Sequence, residues 1–66
     1  MISVGHQEAL LLSVSEAAQL LGIGRSKTYE LVATGELATV RIGRSVRVPR
    51  AIVEGYVERL IEQSHE

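Results

Sequence analysis

Apolar residues recur along this chain with two different periods, and the change of period divides it into elements. Val14, Ala17, Ala18 and Leu21 stand at i, i+3, i+4 and i+7, one face of a helix. Ser13 precedes them and Glu16 follows three residues later, the pairing of a capping box, with Leu12 and Ala17 placed for a hydrophobic staple. Gly22 stops this helix, as glycine does past a helix C-terminus. Gly22-Ile23-Gly24 leaves room only for a tight turn. The helical period resumes at Arg25, with Thr28, Leu31 and Val32 on one face and Ile23 plugging the turn, and Gly35 ends it. Two short helices joined by a glycine-containing turn form the helix-turn-helix pattern.

From Val40 the period becomes 2. Val40, Ile42, Val46 and Val48 are apolar, and Arg41 and Arg47 alternate with them. Gly43-Arg44-Ser45 between the two runs reads as the three-residue loop of a β-hairpin that holds the valines and isoleucine on one face. Pro49 closes the second strand and suits the start of a helix. Ile52, Val53, Tyr56, Val57, Leu60 and Ile61 then form a double stripe with spacing four. That predicts an amphipathic helix of roughly 12 to 15 residues covering the hairpin and the first two helices. Gly55 inside it costs about 1 kcal/mol relative to alanine, and close backbone packing is a candidate reason for it. Leu10 to Leu12 read as an edge strand or a strap on the core, and residues 1 to 9, which show no period, as a frayed start. The expected fold class is α+β, mainly α: a helix-turn-helix, a two-stranded β-hairpin wing and a C-terminal helix in a single domain over 1–66.

Composition narrows the function. A chain of 66 residues buries only about 60% of the surface its unfolded form exposes, so its core is thin and has no room for an enclosed substrate pocket. There is no cysteine, hence no disulfide and no thiolate metal site. Aspartate is absent too, and the histidines, His6 and His65, lie near opposite ends. No catalytic set, metal or cofactor is expected, and no small-molecule substrate. No run of ~18 apolar residues predicts a membrane span, and the start lacks the basic segment of a signal peptide.

The net charge of −1 conceals an asymmetry. Residues 25 to 50 carry Arg25, Lys27, Arg41, Arg44, Arg47 and Arg50 against Glu30 and Glu36, a balance of +4. The rest of the chain carries Arg59 against Glu8, Glu16, Glu54, Glu58, Glu62 and Glu66, a balance of −5. Local potential, not net charge, steers a phosphate backbone to a surface. On the second helix, Ser26 and Glu30 lie opposite the apolar face, flanked by Arg25 and Tyr29 on one side and Lys27 on the other. Helix-turn-helix proteins lay this helix in the major groove, where arginine pairs with guanine and serine bonds base or phosphate. On the hairpin, Arg41 and Arg47 are expected on one face, Arg44 at the tip, and no hairpin acid neutralises them. Like charges on paired strands destabilise a sheet, which an anion would relieve. Glu54, Glu58 and Glu62 line one face of the last helix at spacing four. They lack the histidine or second carboxylate-bearing element of a metal site and read as a solvated acidic ridge or a surface for a basic partner.

Three stretches together resemble the excisionase family, small MerR-like winged-helix proteins of phages, integrative elements and plasmids. They are Ser13 through Val32, then Gly35-Glu36-Leu37, then Val40-Arg41-Ile42-Gly43-Arg44-Ser45-Val46-Arg47-Val48-Pro49. The resemblance implies a MerR-like winged helix-turn-helix that binds and bends attachment-site DNA and helps an integrase, a tyrosine or serine recombinase, excise an element. It places DNA-facing positions at Arg25, Ser26, Lys27, Tyr29 and Glu30 in the helix and at Arg41, Arg44, Ser45 and Arg47 in the wing. Two positions depart from the family's pattern: Gly24 stands where relatives carry a serine or threonine N-cap, and Glu30 where a basic residue is common. The implied partners are double-stranded DNA, the integrase and neighbouring copies on DNA, in the nucleoid and cytoplasm of a bacterium or phage-infected host. A single small module buries only about 600 to 1,000 Å² on DNA, which favours cooperative assembly. Two alternatives share these features: a small transcriptional regulator with the same DNA-binding face, and a protein-interaction module using the acidic ridge and the Ile61 end.

Overall fold

Ser13 caps the first helix from both directions. Its Oγ accepts from the Glu16 N–H at 3.0 Å, and Glu16 Oε1 accepts from the Ser13 N–H at 2.9 Å, the reciprocal bonds of a capping box. The computed structural model describes residues 9–64. Its elements are β1 (Leu11–Leu12), α1 (Val14–Leu21), α2 (Arg25–Ala33), β2 (Val40–Ile42), β3 (Ser45–Pro49) and α3 (Arg50–Ser64). The expected frayed start falls on residues 1–8, outside the described residues. Ala9 is half-buried, and its carbonyl accepts from Arg50 Nε at 2.9 Å.

Both helices of the pair end as the glycines require. At Gly22, φ is +73°; its N–H bonds the Gln19 carbonyl and the Ile23 N–H reaches back to Ala18. At Gly35, φ is +87°; its N–H bonds Val32 and the Glu36 N–H reaches Leu31. Each is a Schellman motif, which satisfies terminal carbonyls and needs a left-handed residue that glycine supplies without a Cβ clash. The second motif also aims Leu37, 1% exposed, into the interior. Ile23 lies at the rim, exposed, and does not plug the turn as the pattern predicted.

The apolar strap at Leu11–Leu12 is an edge strand. It pairs antiparallel with β3, Leu12 opposite Val48, and makes the sheet three-stranded in the order β1-β3-β2. The core cluster consists of Leu12, Val14, Ala17, Val48 and Val53, with Ala9, Leu21 and Ile52 packed against it. Leu12 and Ala17 therefore meet as the staple predicts. Thr28 is wholly buried and polar, yet its Oγ1 donates to the Gly24 carbonyl at 2.9 Å, so its burial leaves no unpaired hydroxyl.

The hairpin departs from the expected register. Ile42 pairs with Ser45, Arg41 with Val46 and Val40 with Arg47. The loop is therefore two residues, Gly43 and Arg44, not three. Gly43 has φ +61° and no non-glycine residue among those described has positive φ, the pattern of a type II′ turn with glycine first. A one-residue slip of register sends every side chain to the other face. Val40 and Ile42 thus share a face with Ser45 and Arg47, while Arg41 shares the face of Val46 and Val48. Arg41 and Arg47 stand on opposite faces, and the expected like-charge pair across the strands does not form.

The last helix is 15 residues long, and only its first half is covered. Val53 is buried and Ile52 and Tyr56 are half-buried, but Val57, Leu60 and Ile61 are exposed. The helix packs on α1 and β3 and then runs past them, so the stripe covers less than its length predicts. Nothing crowds Gly55: a Cβ built there meets no atom within 4 Å, and close backbone packing does not explain it. Gly55→Ala is therefore expected to stabilise the fold by about 0.5 to 1 kcal/mol and to raise the melting temperature by a few degrees. A lower melting temperature in calorimetry would contradict this account of the position.

Candidate nucleic-acid interface

The expected DNA-facing residues of α2 all lie on its open side. Arg25, Ser26, Lys27, Tyr29 and Glu30 are exposed, while Thr28 and Leu31 are buried beneath them. The helix packs on α1, so a buried threonine and leucine hold down one side and leave the five polar or aromatic side chains exposed. No side chain caps its N-terminus at Gly24. The N–H groups of the first turn, Ser26 and Lys27 among them, have no acceptor within the helix, and the partial positive charge of the helix end favours an anion.

Three of these side chains, Arg25, Lys27 and Glu30, have partners within the chain. Arg25 Nη1 lies 3.4 Å from Ser15 Oγ on the first turn of α1, a long hydrogen bond across the two helices. Lys27 Nζ lies 3.5 Å from Glu30 Oε1, both side chains largely in solvent. An exposed pair of this kind contributes little to stability, but it gives Glu30 a local role, tempering Lys27. Ser15 was not among the residues singled out from the sequence. Its signal is weak there, because a serine one turn into a helix has no periodic partner.

On the wing, Arg41, Arg44 and Ser45 are exposed and Arg47 is half-buried. Arg47 Nη1 donates to the Val46 carbonyl at 3.0 Å. Arg50, counted with the basic cluster in the sequence, is bound elsewhere: its Nε and backbone N–H donate to the carbonyls of Ala9 and Leu10, at 2.9 and 2.7 Å. Five of the six clustered cations remain at the helix and wing. Helix α2 and strand β3 both pack on α1, which is thus their common support.

Glu54, Glu58 and Glu62 are exposed along α3. Glu54 and Glu58 rim an open groove of about 410 Å³ between α1 and α3, lined also by Leu20, Val53, Val57 and Arg50. Arg59, on another side of α3, donates to the Glu36 carbonyl at 3.2 Å and sits over the Tyr56 ring at 5.7 Å. Among the described residues no group of three or more metal-ligating side chains is placed to hold an ion, and no helix is long and apolar enough to cross a membrane.

A helix-turn-helix followed by a basic hairpin and a closing helix defines a winged helix-turn-helix protein. Residues 11–60 match the family model described as "Helix-turn-helix domain". The chain is 57% identical over 54 residues to a "Probable excisionase" of Saccharopolyspora erythraea, covering 82% of this chain and 55% of that protein. It is 40% identical over 48 residues to an "Excisionase" of Streptomyces ambofaciens, covering 73% of this chain and 77% of that protein. The chain belongs to the excisionase family of helix-turn-helix proteins, a family that is not enzymatic. It spans about half the length of the Saccharopolyspora relative. No solved structure matches it.

The bare N-terminus of α2 is open to improvement. Gly24 has φ −72° and ψ 161°, which serine adopts readily, and a Cβ there meets no atom within 4 Å. Gly24→Ser should stabilise the fold by a few tenths of a kcal/mol, the usual glycine-to-serine difference at an N-cap, measured by urea denaturation.

Proposed function

We propose that the protein binds attachment-site DNA as an excisionase, bends it, and helps an integrase of the tyrosine or serine recombinase class excise an element. The observation that carries this reading is the open side of α2. Arg25, Ser26, Lys27, Tyr29 and Glu30 project from a helix whose other side is buried, beside a wing whose cations Arg41, Arg44 and Arg47 have no hairpin acid to neutralise them. Arg25 reads a base and the wing arginines, with Ser45 at the turn, follow the phosphates. DNA binding puts the protein at the nucleoid, in the cytoplasm of the cell that carries the element. Footprinting on the element's own attachment site, with and without integrase, tests the reading directly.

The acidic side of α3 serves partners. Anionic groups facing a duplex would oppose binding, so Glu54, Glu58 and Glu62 belong away from it. The groove beside Glu54 and Glu58, with Leu20, Val53 and Val57 in its lining, suits a basic partner surface that also carries apolar side chains, on the integrase or on a neighbouring copy. Charge complementarity there would set orientation more than affinity.

Three measurements follow. With four or five phosphates neutralised, log K should fall against log salt with a slope near −4. Arg25→Ala should cost roughly 1 to 3 kcal/mol and relax preference at one base position, while Arg47→Ala weakens all sequences alike; a flat salt dependence would sink the DNA reading. Separately, Glu58→Lys with Glu62→Lys should leave single-site binding intact and abolish cooperative filling of adjacent sites or integrase-dependent excision. Gel shifts on one-site and multi-site DNA, with an excision assay, check it; survival of both functions would make the ridge a solvated face.

A further inference from the structure

The register of the hairpin leaves an apolar feature at the tip of the wing that the core does not use. Ile42 is 58% exposed and Val40 40% exposed. They share one face with Ser45 and Arg47, their cross-strand partners. Ile42 is the last residue before the Gly43-Arg44 turn, so it stands at the wing's end. A three-residue loop would have turned both side chains to the face of Val48 and the core. The two-residue turn instead sets them beside Arg47 on their own face and Arg44 at the turn, in a segment from Val40 to Pro49 that contains no acid. Strand propensity alone does not call for isoleucine here, because threonine is also β-branched and favours strands without exposing as much hydrocarbon.

Basic side chains around an apolar tip match one surface in particular. The minor groove of DNA has walls of deoxyribose C–H groups between two rows of phosphates, and many proteins that enter it combine arginine or lysine with apolar side chains such as isoleucine and leucine. We propose that Val40 and Ile42 form an apolar contact with the deoxyribose walls of the minor groove, held in place by Arg44 and Arg47 on the flanking phosphates. The contact rests on the DNA-binding reading above and adds residues to it that carry no charge. Burying the ethyl and methyl groups of Ile42 against sugar removes hydrocarbon from water on binding, and it releases no counterion. That difference separates it from every arginine in the wing.

The test is a salt series with purified full chain on a duplex carrying one site. Ile42→Thr, which keeps the β-branch, should melt as wild type does because the side chain is exposed. It should bind about fivefold to tenfold more weakly, a fraction of the transfer free energy of an isoleucine side chain, with the salt slope unchanged. Ile42→Val should recover most of the affinity. Arg44→Ala, by contrast, should lower the slope by about 1 as one phosphate contact is lost. Wild-type affinity in Ile42→Thr overturns the proposal, and so does a loss confined to cooperative filling of multi-site DNA, which would assign the tip to a neighbouring protein. If wild type itself shows no salt dependence, the DNA reading fails and this one with it; a normal wild-type slope with an unaffected Ile42→Thr defeats this one alone.

Discussion

Four elements converge on the eight-residue helix α1, and they can do so because two of its buried positions are alanines. Ala17 is fully buried and Ala18 nearly so. With only a methyl group at each, α2, β1, β3 and α3 all reach the same short helix. A larger side chain at either position would push one of them away, since a well-packed interior tolerates added volume poorly. The distance between α2 and the wing is thus set through α1, by side chains that never meet a ligand. Both Schellman glycines and the capping box serve the same end: they fix where α1 starts and where α1 and α2 stop.

The helical half of this arrangement is legible in the sequence, and so is the hairpin, but the register of the hairpin is not, for a physical reason. In a helix, knowing one buried residue gives the direction of every other at 100° per residue, so Thr28 and Leu31 suffice to place Arg25, Ser26, Lys27, Tyr29 and Glu30 on the open side. In a hairpin, the period of 2 gives each strand two faces but does not say which face of one strand joins which face of the other. That depends on the loop, and Gly43-Arg44-Ser45 allows a turn of two or three residues. The apolar pattern pointed to three, on the assumption that every valine and isoleucine seeks the core. Only Val48 and Leu12 lie over it; β2 hangs beyond its edge, with all three residues exposed. The same assumption overestimated the cover on α3, whose second half extends past the elements that could bury it. In both places a small core ends before the amphipathic pattern does.

What the core does not cover falls into two groups of opposite charge. Around α2 and the wing, exposed apolar and aromatic side chains sit among cations; along α3 and α1, Leu20, Val57 and Ile61 sit beside glutamates. A domain with so little interior cannot spare these residues for packing, and their charge surroundings keep each group soluble while leaving it available to a partner of the opposite sign. The family membership accounts for the first group.

Arg50 has a consequence for how the chain acquires its shape. Its side chain grips Ala9, 41 positions earlier, and its backbone N–H grips Leu10. The two-residue strand β1 is held by these bonds together with its pairing to β3 and the burial of Leu12, so the edge of the sheet closes only when the stretch from Val48 to Arg50 is present. Loop-closure entropy of that span must be met before these bonds form. During synthesis, therefore, α1 and α2 leave the ribosome before the residues that tie them to the sheet. They become a fixed unit when Val48, Arg50 and Val53 emerge and take up Ala9 to Leu12.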